Sequence, residues 1–163
     1  MPKKPAADAK TLDEARTGYD IANRIFFRLY QASNLMHKQG TRYVGAFGAT
    51  TQQWAVLGAL ARSPVRDGGM TVKQLVGYLD VSRQNLTIVL DRLERRGWTE
   101  RVKDVEDGRS RRVRLTADGK TVWTQMLTPI EAFYEASLKG FSTDDQRALY
   151  ALLDRLKTSL GEV

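Results

Sequence analysis

No cysteine occurs in the 163 residues of this chain, histidine occurs once and proline four times. Without thiols there is no disulfide framework, no thiolate metal site and no thiol redox switch. A Ser-His-Asp triad or a histidine metal cluster would have to rest on His37 alone, which has no motif neighbours. There is no P-loop and no GxGxxG, and the Asp144-Asp145 pair suits the first turn of a helix better than acid–base work. The expectation is therefore no catalytic residues, no metal and no cofactor. Long apolar runs are also missing. None approaches the roughly 18 residues of a membrane span, and the start, MPKKPAADAK, lacks the apolar core of a signal peptide. A cytoplasmic protein is expected.

What is present is a globular composition with a basic excess: 42% hydrophobic, 28% charged, and a formal net charge of +7. The length suits one compact domain able to bury about two-thirds of its unfolded surface. A surplus of lysine and arginine favours a polyanionic partner, and its location says more than its total.

Residues 71–97 read as two short helices joined by a tight turn. Thr71 and Gln74 have capping-box spacing, and Leu75, Val76 and Leu79 form the first buried stripe. Ser82 is a good N-cap for a second helix running to about Arg96, with Gly97 as its stop. Leu86, Val89, Leu90 and Leu93 recur at helical spacing and point inward. Arg83, Gln84, Asn85, Thr87 and Ile88 are left on or near the outer face. Such a helix fits the major groove of B-DNA. Arg83 carries the fork that meets guanine, and Asn85 or Gln84 the amide that matches adenine. An ordinary helical hairpin with a solvated polar face explains these two helices about equally well.

The next stretch tips the balance. Residues alternate in polarity over 98–103 and again over 112–116, on either side of a polar loop containing Asp107-Gly108, which predicts a hairpin. Arg109, Arg111 and Arg112 crowd its tip. A solvated loop needs no such concentration of guanidinium groups. A wing that follows the phosphate backbone and enters the minor groove does.

DGRSRRVRLT at 107–116 resembles the wing signature of the multiple-antibiotic-resistance regulator (MarR) family, with its Asp-x-Arg tip and Leu-Thr exit. TTQQWAVLGAL at 50–60 is similar to the family's second helix, and VSRQNLTIVLDRLERRGW at 81–98 to its recognition helix. In length and helix order the likeness covers about residues 12–160. It implies a mainly α fold with a small β-hairpin wing: a winged helix-turn-helix between N- and C-terminal dimerisation helices. By the same resemblance Arg109 sits at the minor-groove position, Asp107 supports the wing tip, and Ser82, Arg83 and Asn85 fall at base-reading positions. The bulky Arg83-Gln84 pair replaces small residues common in the family, so operator preference is not inherited.

The divisions expected are a disordered basic tail (1–10), a dimerisation helix and loop (11–49), the DNA-binding unit (50–116) and C-terminal dimerisation helices (117–163). The first helix, predicted to about Lys38 and closed by Gly40, spans roughly 40 Å, longer than a core of this size requires. Pro129 is expected to kink or break the helix after Thr116, and Ser142 to open the last one. Apolar stripes on all three outer helices call for a second chain, most simply in a two-fold dimer on a palindromic operator. The resemblance further implies a repressor released by a small aromatic acid or phenol. Arg28, Tyr30, His37 and Trp54, with Met70 and Met126, are candidates for that cleft. A ligand-independent or architectural DNA-binding protein is the alternative.

Overall fold

The computed structural model describes residues 9–62, 65, 67–104 and 111–163, with side chains placed from residue 17 onward. Asp107 and Arg109 lie outside the described residues, as does the tail to residue 8. The elements in order are α1 (Ala9–Tyr43), a 3-10 turn (Gly45–Phe47), α2 (Thr51–Ala61), β1 (Met70–Thr71), α3 (Val72–Leu79), α4 (Arg83–Arg95), β2 (Thr99–Lys103), β3 (Arg111–Leu115), α5 (Ala117–Ser137) and α6 (Thr143–Gly161).

Most helix starts are written locally. Thr50 with Gln53, Thr71 with Gln74, and Ser142 with Asp145 form reciprocal capping boxes, each pairing two amide donors that the first turn leaves open. The Ser142 amide and hydroxyl hold the Asp145 carboxyl below the usual carboxylate range. Ser82 and Thr116 cap α4 and α5 with one side-chain bond each. Gly97, at φ 69°, ends α4 in a Schellman motif, with Trp98 N–H donating to Leu93 O and Gly97 N–H to Glu94 O.

β1, β3 and β2 make one antiparallel sheet in that order, with Met70 opposite Val113 and Arg101 opposite Val113 from the other side. Val113 and Leu115 enter the core alongside Leu57 and Leu60 of α2, Leu75 of α3, and Leu86, Leu90 and Leu93 of α4. Beneath them lie Met126 and Ile130 of α5.

Two expectations are corrected. Gly40 does not close α1, which runs a turn further. A Cβ there would stand 2.7 Å from Thr51 Cγ2 and 3.2 Å from the Trp54 ring, so glycine serves the close approach of α1 to α2. Pro129 does not break α5. Met126, Ile130 and Phe133 are buried on both sides of it, and this packing offsets one missing backbone bond. That burial also separates α5 from the other outer helices: it belongs to the protomer's own core. α1 and α6 do not. Tyr19, Phe26, Phe27 and Tyr30 of α1 and Leu149, Leu152, Leu153 and Leu160 of α6 stay exposed in the single chain.

Candidate nucleic-acid interface and effector cavity

α4 presents its first two turns to solvent. Ser82, Arg83, Gln84, Asn85 and Thr87 are all exposed, held over a floor of Leu86, Val89, Leu90 and Leu93. Ser82 Oγ accepts from the Asn85 amide at 3.2 Å, so its role as cap is visible. Thr87 Oγ1 donates back to Arg83 O at 2.8 Å, leaving only its acceptor side for a partner. The side chains of Arg83, Gln84 and Asn85 have no hydrogen-bond partner among the described residues.

The basic residues of the ribbon divide sharply. Arg112 is committed to the protein: its guanidinium donates to Gly68 O (2.8 Å), Gly69 O (2.8 Å) and the buried Asp104 carboxylate (3.1 Å). It ties the base of the wing to the turn before β1. Arg101 shares the face of Val113 rather than the outer one, and forks between Asp91 and Glu94 of α4 at 3.1 and 3.0 Å. Arg114 pairs with Glu100 at 2.7 Å. Arg111 is exposed and has no partner among the described residues. The arginine excess read from sequence thus serves two ends, wing scaffolding and, at Arg111, charge with no partner among the described residues. Only tertiary contacts separate them.

Replacing Arg112 by alanine is expected to destabilise the protein by about 2–3 kcal/mol, because Asp104 and two carbonyls lose a shared donor in a partly buried site. Urea denaturation of Arg112→Ala beside Arg111→Ala checks this. Arg111→Ala is expected within about 0.5 kcal/mol of the parent.

The turn between α3 and α4 is held from outside. Asp80, the one non-glycine with positive φ among the described residues (φ 50°, ψ 45°), ends α3, and its carboxylate meets Lys157 of α6 at 2.9 Å. That hydrogen bond and charge hold the Lys157 ammonium above its ordinary value. Arg96, just past α4, stacks over the Trp98 ring at 3.6 Å and donates to Gly48 O (2.8 Å) and to Phe47 O. These long-range clamps left no signal in local sequence.

A cavity of about 460 Å³ opens between α1, α2, α4 and α5. His37 and Trp54, two of the candidates for a ligand cleft, line it. His37 Nδ1 is 2.7 Å from Thr51 Oγ1, which orients the ring. Trp54 stands edge-on to Phe133 at 5.8 Å and tilted to Tyr134 at 5.7 Å, making an aromatic wall. Burial pushes the Tyr134 hydroxyl above its ordinary pKa. Leu79, Val81 and Asn85 close the other side, so the cavity reaches the first turn of α4. Among the described residues that line it there is no lysine, arginine, aspartate or glutamate. Arg28 and Tyr30 do not reach it: Arg28 bonds Gln31 on the exposed face of α1, and Tyr30 is exposed. Met70 and Met126 are core residues. Sequence missed Phe133, Tyr134 and Asn85 as wall residues, because they come from elements far apart in the chain.

No helix among the described residues is long and apolar enough to cross a membrane. Nor does any group of three His, Asp or Glu among them stand ready to hold a metal ion.

Comparison with known proteins agrees with this architecture. A model of the MarR family matches residues 47–110, from the 3-10 turn into the wing. The transcriptional activatory protein BadR of Rhodopseudomonas palustris is 48% identical over 157 residues, 93% of this chain and 85% of its own. The homoprotocatechuate degradative operon repressor of Escherichia coli is 31% identical over 64% of this chain and 68% of its own. Among solved structures, a mutant E. coli MarR in complex with operator DNA matches in fold with a TM-score of 0.74. It does so over 85% of this chain and 96% of its own, at 22% identity. From its helix order, its hairpin wing and its likeness to these regulators, the chain belongs to the MarR family of transcriptional regulators.

Proposed function

We propose that the protein is a homodimeric, sequence-specific DNA-binding regulator whose hold on a palindromic operator is altered by a small aromatic ligand. The observation that carries the DNA part is the uncommitted polar first turn of α4. Arg83, Gln84 and Asn85 project from an apolar floor with no side-chain partner among the described residues, which is what direct base readout needs. Arg111, and Arg109 by the family resemblance, supply the wing's contacts with backbone and minor groove. A solved complex of a family member with operator DNA supports the same reading.

A duplex selected from a random pool provides the test. Asn85→Ala is expected to lose about 1–3 kcal/mol on that sequence and little on unrelated DNA. Equal losses on both would make Asn85 a phosphate contact.

The dimer is supported by α1 and α6, whose large apolar side chains stay exposed among the described residues of one protomer. Two copies of α4 about 34 Å apart match successive major grooves. The effector reading is supported by the aromatic-walled cavity, which touches α1, α2 and α4 together. A ligand there favours whichever placement of α4 it fits better, and operator affinity shifts by that difference. A relative named for homoprotocatechuate degradation points to the same ligand chemistry.

Trp54 supplies the readout. Titration with phenols and benzoates is expected to change its fluorescence saturably. His37→Ala should weaken that binding about 10-fold, the loss expected for one hydrogen bond to a polar ligand group. Silence from the whole panel would favour ligand-independent DNA binding. The expected action is repression. Since a 48% identical relative is named as an activatory protein, the decisive measurement of sign is transcription from the operator-bearing promoter with and without the regulator.

A further inference from the structure

One residue on the outer face of α4 is explained neither by the fold nor by the polar contacts proposed above. Ile88 is 47% exposed, whereas Leu86, Val89, Leu90 and Leu93 are buried to 7% or less. It is the only large apolar side chain that α4 shows to solvent. A β-branched residue on an exposed helical face adds neither core burial nor helix propensity. Its neighbours at helical spacing are Gln84, Asn85, Asp91 and Arg92. The one exposed carboxylate of α4, Asp91, is paired by Arg101, while Arg92 and Arg95, on the same side of the helix as Ile88, remain exposed. An apolar point in a field of positive charge fits a surface that is anionic overall and apolar at one place. The major groove has that character wherever a thymine projects its C5-methyl group.

We propose that Ile88 packs on the C5-methyl of an operator thymine, and so is a specificity-determining residue of this regulator. The spacing agrees. Three residues along α4 advance about 4.5 Å, or one to two base-pair steps beyond the base met by Asn85. Asn85 and Gln84 therefore read edges by hydrogen bonds, while Ile88 reads a neighbouring pair by shape. Competing occupants fit less well: the large exposed apolar side chains left for a second copy are carried in numbers by α1 and α6, whereas α4 carries Ile88 alone.

This inference rests on the operator-binding reading, and one experiment separates the two. In the selected duplex each thymine is replaced singly by deoxyuridine, which keeps the base pair and removes only the methyl group. The parent protein is expected to lose about 3–10-fold in affinity at one thymine of each half-site, the effect of one buried methyl contact. Ile88→Ala should bind the thymine duplex as weakly as the parent binds the uracil duplex, with no discrimination at that position and unchanged thermal stability. Ile88→Val should restore most of it. If the parent binds the duplex but is indifferent to every replacement, or Ile88→Ala keeps the full preference for thymine, the assignment of Ile88 is overturned while operator binding stands. If no duplex is selected and none is bound, the operator-binding reading falls and this one with it.

Discussion

Gly119→Ala is expected to destabilise the protein by about 3 kcal/mol, the upper end of what overpacking costs. An ideal Cβ at Gly119 would lie 1.9 Å from the Trp98 carbonyl oxygen and 2.9 Å from its carbon. The obstacle is backbone, so no side-chain rotation relieves it. That carbonyl is also engaged, accepting from the Thr116 amide at 3.1 Å, and Thr116 Oγ1 donates to Gly97 O while accepting from the Gly119 amide. Shifting α5 outward would thus break its own cap and loosen the start of the wing together. Gly77→Ala is the control. Gly77 lies inside α3 with open space around it, so alanine there should stabilise by about 0.5–1 kcal/mol through helix propensity. Chemical denaturation of both variants checks the pair. If Gly119→Ala matches the parent, the packing of α5 on Trp98 is misassigned.

Phe26→Glu combined with Leu153→Glu is expected to yield a folded monomer that binds the operator about 10²–10⁴-fold more weakly than the parent. Both side chains are exposed in the protomer, at 47% and 44%, so charge there should spare the core. In the proposed dimer the same charges would be buried against apolar surface, at a cost that two carboxylates without partners cannot recover. The loss in DNA binding follows from avidity: one α4 held on a half-site raises the local concentration of the other. Sedimentation and operator titration should therefore change together, with the circular dichroism spectrum preserved. A parent protein that is already monomeric at micromolar concentration would remove the dimer. A monomeric variant with full affinity would remove the two-site account of operator binding.

The two variants probe different layers of information. Capping boxes, the Gly97 stop and the inward stripe of α4 depend on residues within about four positions of one another, so the sequence alone placed them and with them the helix-turn-helix. The hairpin was legible for the same reason, since alternation is a local pattern. Helix ends opposed by a packing requirement were not. Gly40 reads as a stop and Pro129 as a kink or a break, yet both lie inside continuous helices because distant side chains reward continuity more than the local residue penalises it.

Sequence by itself therefore determined the winged helix-turn-helix, the face of α4 turned outward and the family to which the chain belongs. Which arginines remain available was decided only in three dimensions. Arg112 is claimed by carbonyls more than 40 positions away in the chain and Arg101 by carboxylates on α4, while Arg111 has no partner among the described residues. The cavity was decided there too, since Trp54 and Phe133 meet only after α2 and α5 have packed. A side chain's residue type specifies what it can bond. Whether that capacity is still open depends on which remote groups folding brings within about 3 Å of it.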